Sequence, residues 1–240
     1  MKEKIIKILH LYSHDMNIYG DRGNILVLQK RLERYGYKPE IIEYNPGDKF
    51  PIEADIIVGG GGQDSGQNKI QKDLLKIGPK LQKLADSGTP MLVICGLYQL
   101  FGKFFKTAEG EKIEGIDILD IETYGKPERL IGNIITNSED FGYIIGYENH
   151  SGQTFLGKGV IPLGQVRLGA GNNMVEGTEG ARYSNVIGTY LHGSLLPKNP
   201  KIADFLIEQA VIKKYGKFDK KQIDDSLTEL ARKSAIKRPR

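Results

Sequence analysis

Met91-Leu92-Val93-Ile94-Cys95-Gly96-Leu97-Tyr98-Gln99-Leu100-Phe101-Gly102 is the stretch on which the fold turns. Four apolar residues follow Pro90 and suit a strand buried in a parallel sheet, and the chain's only cysteine stands where that run stops and a glycine follows. Cys95 therefore falls at a strand-to-helix turn, where a side chain is presented outward from the surface in the manner of a nucleophile elbow. The backbone N–H groups and the positive end of the next helix favour a thiolate there and offer donors to an oxyanion. A buried, inert cysteine is the competing reading, since free cysteine is among the most buried residue types.

Upstream of this stretch, apolar runs at Ile5–Leu11, Ile41–Ile42 and Ile56–Val58 read as strands. Asn24 caps a helix whose Ile25, Leu28, Leu32 and Tyr35 share a face before Gly36 ends it, and a second helix spans about Asn68 to Ser87 with an interruption near Gly78-Pro79. Alternating β and α over the first hundred residues predicts an α/β fold, a mainly parallel sheet with helices on both faces. Downstream, short runs at Ile116–Leu119, Leu130–Thr136 and Tyr143–Tyr147 are separated by Gly, Asn and Asp, which predicts antiparallel strands added to that core. Val186–Leu191 is another apolar strand, ending at His192-Gly193. Asn199-Pro200 starts a helix with Asn as cap, and a last helix runs from about Lys221 to Ala235.

Length, composition and charge exclude several classes. At 240 residues the chain supports one large domain with a sizeable core. One cysteine forbids an internal disulfide, and without a signal-like segment or a membrane-length apolar run the reading is a reducing cytoplasm. Four scattered histidines show no metal-ligand spacing, so no metal is expected. The net charge of +4 is concentrated at the end, where Lys213–Arg240 holds ten Lys or Arg against four Asp or Glu. Little aromatic interleaving accompanies it, which favours a solvated helix face over a nucleic-acid surface.

Cys95 and His192 close two strands, and in an open parallel sheet reacting groups gather at the carboxyl ends of strands. Such a pair is the minimum for nucleophilic acyl transfer, with His192 taking the thiol proton and later donating one to the leaving group. His10 lies inside the first strand, while His14 and His150 are read as loop residues. Gly59-Gly60-Gly61-Gly62 ends the third strand, and one amide there plus that of Gly96 makes a two-donor oxyanion site. Phosphate binding by this run is disfavoured, because neither G-x-x-x-x-G-K-[ST] nor a helix-opening G-x-G-x-x-G is present.

The elbow Ile94-Cys95-Gly96-Leu97-Tyr98-Gln99-Leu100-Phe101-Gly102 resembles the I-C-G-G-[YF]-Q-x-L-G motif of class I glutamine amidotransferases of the cobyric acid synthase type, and Thr189-Tyr190-Leu191-His192-Gly193 resembles their Y-L-H-G motif. The stretch from Leu11-Tyr12 through Met16-Asn17-Ile18-Tyr19-Gly20-Asp21-Arg22-Gly23-Asn24, with Gly59–Asp64 and Arg129-Leu130-Ile131-Gly132-Asn133, is similar to the glutaminase subunits of lipid II isoglutaminyl synthases. The resemblance implies a three-layer α/β/α, flavodoxin-like fold. It extends to about Gly216, which divides the chain into an amidotransferase domain over residues 1–216 and a basic C-terminal helix and tail over 217–240. It also implies that Cys95 attacks the glutamine side-chain amide, that His192 is the acid/base, that Gln99 and Arg129 bind glutamine, and that Gly61 or Gly62 with Gly96 donates to the oxyanion. The chemistry suits these types, since Arg129 can grip a carboxylate with its fork and Gln99 stands one helical turn after the nucleophile.

The family further implies a heterodimer in which ammonia passes to a MurT-like, Mur-ligase-type synthetase that amidates the D-glutamate α-carboxylate of lipid II, with ATP and Mg on that partner, no cofactor in this chain, and contact with lipid II only through the partner. Alternatives are ammonia supply for amidation of a cobalamin-type precursor and a non-catalytic, glutamine-binding regulatory subunit. The sequence departs from the motif at Val93 and Leu97, where the family has glycines. It has Ser194 where many relatives place a carboxylate two residues after the histidine, so an acid of the partner is expected to orient His192, with Asp15, Asp21 and Asp64 the candidates within the chain.

Overall fold

The computed structural model describes residues 3–238. Its core is a six-stranded sheet ordered β11 (Ala181–Tyr183), β12 (Val186–Thr189), β4 (Met91–Ile94), β3 (Ile56–Gly59), β1 (Ile5–Leu11) and β2 (Lys38–Tyr44). Five of these strands are parallel and only β11 runs against its neighbour. Every residue of β3, β4 and β12 is buried, as continuous apolar runs covered on both faces must be. Helices α1 (Arg22–Tyr35) and α5 (Pro200–Tyr215) pack together and against β1 and β3, while α2 (Asp64–Asp86) packs on the short α3 (Gly96–Leu100). This is the expected three-layer α/β/α arrangement with a mainly parallel sheet.

The middle of the chain departs from expectation. Its strands do not extend the core sheet but build a second one, ordered β10 (Thr178–Glu179), β9 (Gly164–Leu168), β7 (Ile121–Ser138), β5 (Phe104–Lys106) and β6 (Lys112–Glu114), with β8 (Gly142–Leu156) also paired to β7. Leu130–Thr136 and Tyr143–Tyr147 are parts of one long β7–β8 hairpin, bulged between Gly125 and Leu130. Ile116–Leu119 is not a strand: its amides donate to the carbonyls of Leu100, Phe101 and Gly102, which packs the segment on the end of α3.

Four local expectations are also corrected. Asn24 lies inside α1 and does not cap it; its Oδ1 instead accepts the Leu196 amide at 2.9 Å, at the start of α4 (Leu195–Lys198). α2 begins at Asp64 and passes through Pro79 unbroken, because Pro79 forfeits one hydrogen bond while Gly78 lets the helix press on Ile116. Asn199 precedes α5 as read, yet its side chain is drawn away to the backbone of Ile145, donating to the carbonyl and accepting from the amide. The last helix, α6 (Ser226–Ile236), starts later than read and leaves Leu227 and Leu230 exposed. Ahead of it, Phe218 stacks on Tyr37 and meets Tyr35 edge-on, and the buried Arg31 guanidinium binds both Asp204 and Asp225.

Candidate active site

Four neighbouring parallel strands, β12, β4, β3 and β1, deliver their carboxyl ends to one place. Beyond β4 stands Cys95, at φ 50° and ψ −104°, a backbone conformation that side chains seldom adopt and that strand-to-helix elbows impose. The two departures from the family motif are accommodated by glycines on the neighbouring strands, Val93 lying in register with Gly59 and Gly188. Leu97 fits because Gly59 on the adjacent strand leaves room for it: a Cβ on Gly59 would lie 2.2 Å from Leu97 Cδ1. Gly96 is required, since its own Cβ would meet Met16 Cε at 2.8 Å and Gly62 N at 3.1 Å. The thiol does not sit at a surface turn as expected. Cys95 is only 6% exposed, at the wall of an open cavity of about 530 Å³.

His192 follows β12 and is fully buried beside the cysteine. Its amide donates to Tyr147 O at 2.8 Å, and Tyr19 packs edge-on against its ring with centroids 5.0 Å apart. From the loop after β1, Asp21 brings Oδ2 to 3.4 Å from His192 Nδ1, with both side chains buried. Burial pushes the imidazole down, but the charge of Cys95 and the Asp21 carboxylate outweigh it and raise its pKa to about 10. Of the other acidic candidates, Asp15 pairs with Lys69 at 2.7 Å and Asp64 lines the cavity at the start of α2. Ser194 does not replace the carboxylate of relatives directly. Its hydroxyl donates to Gly20 O at 2.5 Å, tying the turn after His192 to the loop that carries Asp21.

The glycine run after β3 divides its work. Gly61 N donates to Asp21 Oδ2 at 2.7 Å, so that amide is committed and does not face an oxyanion in this arrangement. Gly62 and Gly96 stand close together, a Cβ on Gly96 falling 3.1 Å from Gly62 N. Gln99 and Arg129 share the cavity wall with Cys95. Gln99 is buried in a polar chain: its Oε1 accepts from Gln67 at 2.7 Å and its Nε2 donates to Tyr190 Oη at 3.1 Å. Arg129, contributed by the second sheet, is exposed at the rim, where Nε and Nη2 donate to Asn149 Oδ1 at 3.2 and 2.8 Å. A buried nucleophile, an imidazolium, two backbone donors and a rim guanidinium can together split a carboxamide whose far end carries a carboxylate.

Residues 7–200 match the CobB/CobQ-like glutamine amidotransferase domain. The chain belongs to this family. Within it, the chain is 41% identical over 234 residues, 97% of its own length and 96% of the relative's, to the lipid II isoglutaminyl synthase (glutamine-hydrolyzing) subunit GatD of Staphylococcus aureus strain N315. It is 39% identical to the subunit of the same name from Streptococcus pneumoniae strain R6, over 88% of this chain and 82% of that one. A probable cobyric acid synthase of Methanothermobacter thermautotrophicus is 31% identical over 201 residues, but the match spans 39% of that longer protein. Among solved structures, a glutamine amidotransferase superposes with TM-score 0.56 at 16% identity, covering 84% of this chain and 98% of that one. Another, from Thermotoga maritima, gives 0.53 at 16% identity over 96% and 93%. These two share the fold.

Several residues of this amidotransferase site escape sequence reasoning. Tyr19 packs on His192 and its hydroxyl accepts from Asn149 Nδ2 at 2.9 Å, which joins the histidine to the residue holding Arg129. His150 is not in a loop but in β8, buried and stacked on Tyr190 at 3.6 Å; burial drives its pKa down to about 3, so it stays neutral. The signal for Tyr19 is its place in the Met16–Asn24 stretch that carries the family resemblance, at a strand's carboxyl end. Asn149 and His150 carried none, because their role depends on how β8 pairs with β7.

Proposed function

We propose that this chain is the glutaminase subunit of a lipid II isoglutaminyl synthase, acting in the cytoplasm in peptidoglycan synthesis. Cys95 Sγ attacks the side-chain carbonyl carbon of L-glutamine, and the oxyanion is met by the amides of Gly62 and Gly96. His192 gives its proton to the departing nitrogen, so ammonia leaves and a glutamyl thioester remains on Cys95. Water then attacks the thioester, His192 takes the water proton, and glutamate and the Cys95 thiol are released. Asp21 orients the imidazole and stabilises its charged form. Arg129 receives the substrate α-carboxylate, and Gln99 borders the side-chain pocket.

In this reading the ammonia passes to a MurT-like, Mur-ligase-type synthetase, where ATP and Mg activate the D-glutamate α-carboxylate of lipid II for amidation to D-isoglutamine. The observation that carries the reading is Cys95, His192 and Asp21 converging beside one cavity in a chain that matches named GatD subunits over nearly its whole length. The test is to treat the chain with a glutamine-like diazo-ketone and assay glutamine hydrolysis and lipid II amidation after mixing with the synthetase. An adduct on Cys95 together with ATP-dependent amidation is the expected result. A clean mass and no hydrolysis would leave a glutamine-binding regulatory subunit in its place.

A further inference from the structure

Glu179, in β10, is fully buried and lines no part of the catalytic cavity. Its Oε1 accepts two hydrogen bonds, from Thr189 Oγ1 at 2.5 Å and from the Tyr190 amide at 2.8 Å. Thr189 Oγ1 in turn accepts the Leu191 amide at 3.1 Å, and the Thr189 carbonyl accepts the Cys95 amide at 2.9 Å. β12 ends at Thr189, so the amides of residues 190–192 find no partner in the core sheet, and buried amides require partners. The carboxyl supplies one of them directly and a second through Thr189, and the third, on His192, goes to Tyr147 O. Thr189 thus stands between the turn that carries the base and the backbone of the nucleophile, and Glu179 grips it.

We propose that Glu179 is a positioning residue that sets the spacing of Cys95 and His192 through Thr189 and Tyr190. Burial lifts its pKa to about 7, which is the cost of placing a carboxyl there. An apolar side chain of the same size would fill the space without that cost, but it would leave the Tyr190 amide and the Thr189 hydroxyl without their acceptor. Tyr190 is fastened at its other end as well, where its hydroxyl meets Thr154 at 2.6 Å and Gln99 at 3.1 Å, so the carboxyl acts on a turn that is otherwise clamped.

The inference rests on the Cys95–His192 chemistry proposed above. The experiment compares Glu179→Gln, Glu179→Leu and Thr189→Val in the full chain assembled with its synthetase, reading kcat, KM for glutamine, melting temperature and the pH dependence of Cys95 alkylation by iodoacetamide. Glu179→Leu and Thr189→Val are expected to lower kcat about tenfold or more with KM within about twofold, and to change the alkylation profile, because the spacing of the pair is lost. Glu179→Gln keeps the acceptor and should remain within about threefold of wild type. Leu and Val variants that melt earlier but keep both kcat per folded molecule and the wild-type alkylation profile would overturn the proposal. Wild-type Cys95 that alkylates as a free thiol would instead defeat the Cys95–His192 reading, and this proposal with it.

Discussion

Asp21 Oδ2 lies 3.4 Å from His192 Nδ1 while accepting the Gly61 amide at 2.7 Å, so one buried carboxylate oxygen serves the base and anchors the glycine run. The first loop of the chain thus puts a carboxylate beside His192, whose own neighbour two residues on is Ser194. Asp21→Asn should therefore lower kcat by about two to four orders of magnitude, with little effect on KM. The measurement is glutaminase turnover of this chain alone and of the assembled pair. Unchanged turnover in both would mean that Asp21 does not orient His192, and a loss confined to the isolated chain would point to an acid of the partner.

The raised pKa of His192 makes a second prediction. Because the folded form binds the proton more tightly than the ordinary value of 6.5 allows, the stabilisation is fully present below about pH 6.5 and is lost as pH rises through about 10. In wild type the His192 imidazole should show no titration step between about pH 5 and 8 by NMR. In Cys95→Ala its pKa should fall, because the largest contribution holding the charge is removed and burial then weighs more. A His192 titrating near the ordinary value in wild type would contradict the charged pair.

Gly61→Ala tests the packing of the site. An added Cβ would lie 2.6 Å from His192 Cε1 and 3.2 Å from Cys95 Cβ, so the imidazole must move. Turnover should fall by about tenfold or more, and the diazo-ketone should modify Cys95 more slowly. Wild-type labelling would mean that the turn yields and the histidine does not.

Arg129→Lys should raise KM for glutamine far more than it lowers kcat, because a point charge replaces a planar fork at a group remote from the scissile amide. The same change gives up the two-nitrogen grip on Asn149 Oδ1. Steady-state kinetics with glutamine decide it, and an unchanged KM would make Arg129 a surface residue.

The features legible from residue order alone lie within short windows. The buried runs of β1, β3, β4 and β12 declare the parallel sheet, and Cys95, Gly61–Gly62 and His192 each stand just past the end of one of those runs. Strand ends in such a sheet meet at one edge, so the pairing of Cys95 with His192 follows from the hydrophobic pattern and the positions of single residues. Tertiary structure decided everything that depends on which distant segments touch. Asp21 was one acid among three until the loop after β1 folded over Gly61 and His192, and the Gly61 amide was an oxyanion candidate until that carboxylate took it. Asn24 and Asn199 carry cap-forming side chains, but α4 and β8 offered them better-placed partners. Arg129 reaches the cavity only because β7 and β8 form a long bulged hairpin in a second sheet, and no local period encodes that pairing. Side-chain type and strand pattern act over a few residues, whereas hydrogen-bond competition and register are settled by the packed whole.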